Sequence, residues 1–153
     1  MKINFKKLII NILIPLIVGG IASLLSMPFM DYGEIIQPPL APPGWLFPVV
    51  WTILYILMGV SFYLILETDN YDTDSSYAVY FVQLIVNALW SIFFFTFKWR
   101  GFSILWLLLL IVLIIIMIIR FYKINKTASL LQIPYLAWCI FALYLNIGIY
   151  LLN

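Results

Sequence analysis

Five apolar runs, each long enough to cross a bilayer, constrain this chain more than any other feature. A transmembrane helix needs roughly 20 consecutive apolar residues. The runs extend from about Phe5 to Met27, Trp45 to Leu66, Tyr77 to Phe97, Phe102 to Ile119 and Ala128 to Leu152. Together they consume most of the 153 residues. The expectation is therefore one all-α domain over 1–153, an integral membrane bundle of five transmembrane helices. Only 9% of residues are charged, against roughly 25% in a soluble domain. That is too little to coat a water-facing surface. A basic start before an apolar run can also mark a cleaved leader, and Ile21-Ala22-Ser23 faintly resembles a cleavage site. The first run is longer than a leader's apolar core, so it is read as span one.

The connections are short. Pro28 to Gly44 is the longest, with Asp31, Glu34 and four prolines between Pro38 and Pro43. Proline lacks an N–H and fixes φ, so this stretch is a stiff loop rather than a helix. Glu67 to Ser76 forms an acidic loop, with Glu67, Asp69, Asp72 and Asp74. Lys98-Trp99-Arg100-Gly101 is a tight turn, and Arg120, Lys123 and Lys126 mark the last loop. With the N-terminus inside, six basic residues (Lys2, Lys6, Lys7, Arg120, Lys123, Lys126) lie inside against two outside (Lys98, Arg100). The positive-inside rule then favours N-in and C-out, with the proline loop outside.

Several chemistries are excluded. The chain has no histidine, which removes the commonest metal ligand and general base. No Ser/His/Asp or Cys/His arrangement is possible, and no metal site is expected. Cys139 is the single cysteine, so there is no intrachain disulfide. No basic stripe exists to neutralise phosphates, which argues against nucleic acid. All six acids are expected in loops, so acid–base catalysis inside the bundle is not expected.

Lipid-facing helix needs only Leu, Ile, Val and Phe, and span four sets that baseline. Spans two, three and five depart from it in register. Trp51, Tyr55, Met58 and Phe62 form a stripe in span two. Tyr80, Gln83, Asn87, Trp90 and Phe94 do so in span three, and Tyr135, Trp138, Ala142 and Leu145 in span five, with Asn146 beside them. Amides in hydrocarbon must find partners, so these faces point inward. Gln83, Asn87 and Asn146 either bond between helices or meet a ligand. Gly19, Gly20 and Ser23 in span one permit close packing. Trp45 and Trp99 sit near span ends, where interfacial belts collect tryptophan. Trp51, Trp90 and Trp138 lie deeper. They form either plain core or a flat π-rich cavity suited to a planar aromatic or sterol-like ligand.

The run Pro42-Pro43-Gly44-Trp45-Leu46-Phe47-Pro48-Val49-Val50-Trp51-Thr52-Ile53-Leu54-Tyr55 resembles the signature of the tryptophan-rich sensory protein / translocator protein family (TspO/MBR, the peripheral benzodiazepine receptor family), in its bacterial type. Further blocks agree: Pro15 with Gly19-Gly20; Gln83-Leu84 through Asn87 with Trp90; and Pro134-Tyr135-Leu136-Ala137-Trp138 with Phe141-Ala142 and Leu145-Asn146. The resemblance implies a five-helix bundle, often a homodimer, in a bacterial cell membrane, with the first loop lidding a pocket. It implies porphyrin ligands of the protoporphyrin IX kind and benzodiazepine-type drugs, with no cofactor required. Carried over by position, the pocket would take Leu24, Met27, Phe47, Val50, Trp51, Asn87, Trp90, Phe102, Trp106, Leu109, Trp138, Ala142 and Leu145. The family's light-dependent porphyrin breakdown would assign a catalytic part to Trp51 and Trp138. The animal cholesterol motif needs a basic residue late in span five, and none follows Lys126, which argues against a cholesterol role. Family members often carry tryptophan or histidine where Leu40 and Ala41 stand, and an acid where Trp106 stands.

Three readings follow from this. The first is a porphyrin-binding sensor, scavenger or transporter, with Lys98 and Arg100 on the lid side to meet propionates. The second is a photo-oxidative catalyst of porphyrin breakdown. The third is an assembly partner whose aromatic face is buried against another protein.

Overall fold

The computed structural model describes residues 2–68 and 73–153. Helix α1 spans Phe5–Ser26 and continues into a 3-10 turn at Met27–Phe29. Helix α2 spans Leu46–Leu66, and α3 spans Thr73–Ser91 and runs on through a π turn at Ile92–Thr96. Helix α4 spans Arg100–Ile124, and the fifth span is broken into α5, Lys126–Leu130, and α6, Ile133–Leu152. All five spans have the length and apolarity of membrane crossings. No strand occurs among the described residues.

The helix ends reach further than the apolar runs suggested. Helix α3 starts at Thr73, which moves Asp74 from the expected loop into the first helical turn. A carboxylate there faces the positive end of the helix dipole. Asp69 and Asp72 of the expected acidic loop lie outside the described residues. Helix α4 absorbs Arg120 and Lys123, with Lys123 in the last turn, where a cation suits the negative end. Only Asn125 separates α4 from α5, and its Oδ1 caps α5 by accepting from the Ala128 N–H at 3.1 Å.

Helices α1 and α2 approach closely through two glycines. Pro15 lies inside α1, so the Asn11 carbonyl lacks its usual helical donor. Gly59 of α2 presses against that carbonyl and the Ile12 backbone, where no side chain would fit. Gly19 of α1 gives its space to the ring of Tyr55.

Span four is not lipid-facing filler. Ser103, Leu107, Leu110, Ile114, Met117 and Phe121 recur at steps of four and three and are all buried. This stripe holds the core together, because α4 packs on α3, α5 and α6. Helix α1 packs on α2 and α3, and α2 packs on α5. Helix α6 packs its backbone closely on α4 and reaches α2 and α3 through side chains such as Tyr135 and Trp138. The cavity lies in the space those side chains bridge.

Candidate ligand cavity

The space between α6 and the first three spans encloses about 450 Å³. Ligand cavities typically hold roughly 300–1,000 Å³. Its wall comes from α1 (Gly19, Ala22, Ser23), α2 (Phe47, Pro48, Trp51, Tyr55), α3 and its π turn, and α6. Helix α4 contributes nothing to it. The π turn shifts the register at the end of α3, so that Trp90, Ser91, Phe94 and Phe95 all line the cavity.

The wall is mostly apolar, and its aromatic side chains largely hold one another in place. Trp51 stacks on Tyr55 at 5.5 Å and meets Tyr135 edge-on at 6.2 Å. Phe47 bridges Tyr32 of the loop, at 5.0 Å, to Trp138, at 5.8 Å. Trp90 stacks on Phe94 at 5.0 Å. The polar groups are few and paired across helices. The Tyr55 hydroxyl donates to Asn87 Oδ1 at 2.8 Å, and Asn87 Nδ2 donates to the Tyr135 hydroxyl at 2.7 Å. Asn146 Oδ1 accepts from Trp90 Nε1 at 3.1 Å and from the Ser103 hydroxyl at 3.0 Å. The inward amides thus bond between helices, while Asn87 and Asn146 also touch the cavity. The Trp138 indole N–H is buried without a protein partner. Trp138 also lines a second, shallower apolar groove with Val50, Leu54, Pro134 and Phe141, so its ring belongs to both walls.

The proline loop closes the top. Asp31 receives both oxygens' worth of hydrogen bonds from Arg100 Nη2, at 2.7 and 2.8 Å, and Lys98 Nζ stands 3.6 Å away. Arg100 also lies over the Phe94 ring at 5.2 Å. The Tyr144 hydroxyl donates to the Pro39 carbonyl at 2.6 Å. Asn153 pairs with the Ile36 backbone, accepting at 3.0 Å and donating at 2.8 Å. Pro38 packs against Gly148, where a side chain would collide with it. Partial burial within the loop raises the Tyr32 phenol above the ordinary tyrosine value; its hydroxyl donates to the Pro42 carbonyl at 2.7 Å.

Of the positions carried over from the family, Met27, Phe47, Trp51, Asn87, Trp90, Trp138, Ala142 and Leu145 come together around this cavity. Five do not. Leu24 is 67% exposed on the outer face of α1, because Gly19, Ala22 and Ser26 take the inner one. Val50 lines the shallower groove instead. Phe102, Trp106 and Leu109 share a face of α4 that flanks its buried stripe. Trp106 packs edge-on against Phe93 at 5.0 Å and donates its indole N–H to the Val86 carbonyl at 2.8 Å. Arg100, expected to meet a propionate, is held by Asp31, and Lys98 is the more exposed of the two cations. Sequence reasoning missed Tyr32 and Phe95 as lining residues, and left Asn146 open between helix pairing and the ligand. Asn146 carried a signal, an amide beside an inward stripe; the π turn behind Phe95 carried none.

The TspO/MBR family profile matches residues 11–152. The chain is 37% identical over 152 residues to the tryptophan-rich protein TspO of Archaeoglobus fulgidus, covering 98% of this chain and 99% of that one. It is 32% identical to the protein CrtK of Rhodobacter capsulatus, over 88% of this chain and 86% of that one. It is 31% identical to the translocator protein of Bos taurus, over 77% of this chain and 72% of that one.

Proposed function

The chain belongs to the TspO/MBR family of integral membrane proteins, and from that premise we propose that it binds porphyrins of the protoporphyrin IX kind, and drug-like aromatic molecules, in the lidded cavity, acting as sensor, scavenger or transporter. The observation that carries this reading is the wall itself: an aromatic lining with a few paired polar groups, roofed by a fastened loop. Trp51 and Trp138 would sandwich or flank a flat ring system. A metal-free porphyrin needs no axial ligand, in keeping with a chain without histidine. Lys98 would meet a propionate at the rim. We place the protein in a bacterial cell membrane as a homodimer, N-terminus inside, on the charge asymmetry of its loops and the family resemblance.

Titration of protoporphyrin IX, read by tryptophan quenching, tests the proposal. Wild type should saturate at micromolar ligand, and Trp138→Phe should bind more weakly while melting at an unchanged temperature. Equal affinities, or no saturable quenching, would reject it. A second reading, light- and oxygen-dependent breakdown of the bound porphyrin, draws on Trp51 and Trp138 both facing the cavity. Illumination that yields a discrete product only when both tryptophans are present would favour it. Bleaching equal to that in empty detergent would leave binding alone.

A further inference from the structure

Away from the cavity, three fully buried side chains carry polar atoms without a protein partner. Tyr80, Gln83 and Gln132 are 1%, 0% and 0% exposed. The orphaned atoms are the Tyr80 hydroxyl, Gln83 Nε2, and both Oε1 and Nε2 of Gln132. Buried polar groups are nearly always paired, with protein or with ordered water.

The residues that carry them stand near one another along α3 and α6. Tyr135 donates its hydroxyl to Gln83 Oε1 at 2.8 Å, which fixes α6 against α3. Tyr80 lies one turn before Gln83, and Gln132 lies one turn before Tyr135. The same two helices bracket both. Tyr80 is stacked on Phe62 of α2 at 4.2 Å and faces Phe121 of α4 at 6.3 Å. The segment leading to Gln132 is tied to α2 by the Ser61 hydroxyl donating to the Ala128 carbonyl, and to α4 by the Ser129 hydroxyl donating to the Ile118 carbonyl.

The backbone supplies a second observation. The fifth span breaks at Leu131 and Gln132, between α5 and α6. The backbone N–H groups at the break are paired, Leu131 with the Thr127 carbonyl and Gln132 with the Ser129 carbonyl, which leaves the Gln132 side chain as the unpaired group there. A third concerns the direction of the bonds. From the cavity wall, Tyr55 donates to Asn87, Asn87 to Tyr135, and Tyr135 to Gln83. The chain ends on Gln83 Nε2, a donor in need of an acceptor, with Tyr80 one turn before it on α3 and Gln132 one turn before its partner Tyr135 on α6.

We propose that these side chains frame an internal water site, in which bound water accepts from Gln83 Nε2 and bridges to Gln132 and Tyr80. An internal water typically makes two to four hydrogen bonds, and these three side chains offer that set of donors and acceptors. The site continues the hydrogen-bond chain from Tyr55 in the cavity wall to the break in the fifth span. The polar floor of the cavity then rests on exchangeable solvent rather than on protein alone.

A structure of the full chain at a resolution that reveals ordered solvent tests this. Density within hydrogen-bonding distance of Gln83 Nε2 and the Gln132 amide supports the site. A dry site, with Gln132 bonded directly to Tyr80 or Gln83, overturns it. Radiolytic labelling reads the same point in detergent or nanodiscs, because bound water also yields hydroxyl radicals. Tyr80 should be oxidised in wild type despite its burial, and several-fold more slowly in Gln132→Leu. An unlabelled Tyr80 in wild type, or a rate unchanged in the variant, rejects the proposal. Gln132→Met serves the same comparison where Gln132→Leu does not fold.

Discussion

Asn87 ties three spans together from one position. It accepts from Tyr55 on α2 and donates to Tyr135 on α6, while its own side chain is 5% exposed. Replacing it with leucine keeps the branched shape, strands the Tyr55 hydroxyl and removes the donor to Tyr135, which keeps its own bond to Gln83. A stranded group costs ~1–3 kcal/mol, so Asn87→Leu should unfold at lower denaturant or temperature than wild type, by about 1–3 kcal/mol. Equilibrium unfolding in mixed micelles measures it; a loss near zero would mean that the Tyr55 phenol finds another partner. This residue could be read from the sequence, because an amide one turn from Gln83 in an apolar helix has to face inward. Asp31 and Arg100 could not be read that way. Their bond joins positions 69 apart and depends on how the proline loop folds back over the bundle.

At the scale of helices, glycines and stripes decide the packing. Gly59 sits against the α1 backbone at Asn11 and Ile12, whereas Gly20 has open space around it. Gly59→Ala should destabilise by about 1–3 kcal/mol through overpacking. Gly20→Ala should be neutral or slightly stabilising, since alanine is the better helix former. Thermal unfolding of the pair separates close approach from helix propensity; equal shifts would refute the contact. Helix α4 offers a similar comparison. Ile114 is fully buried and its neighbour Ile115 is 42% exposed. Ile114→Ala should cost about 2–5 kcal/mol and Ile115→Ala much less; equal costs in a denaturant series would place span four back among the lipid-facing helices. The five helices were visible in the sequence because apolar runs of that length admit little else. The buried face of α4 was hidden because its residues are apolar all round, and only Ser103 broke the uniformity. Phe102, Trp106 and Leu109 came from the family resemblance rather than from a pattern in span four, and they lie outside the cavity because no α4 residue lines it.

Across the whole molecule, the lid is fastened to two different helices. Arg100 at the start of α4 holds Asp31, and Tyr144 and Asn153 on and after α6 hold Pro39 and Ile36. The side chains of Asp31 and Arg100 are only 15% and 13% exposed, so the pair is well shielded from solvent. Asp31→Asn should loosen the loop while the bundle stays folded. Faster amide exchange across the lid residues 31–44, with unchanged exchange in the helix cores, is the expected signature; uniform acceleration would mean global destabilisation instead. The fastenings also bear on time. Any occupant of the cavity that passes beneath the lid must wait for these bonds to break, on arrival and on departure alike. Cutting one of them would lower the same barrier in both directions. Association and dissociation would quicken together while the equilibrium constant barely moved, and the lid would act as a clock for residence rather than as a source of affinity.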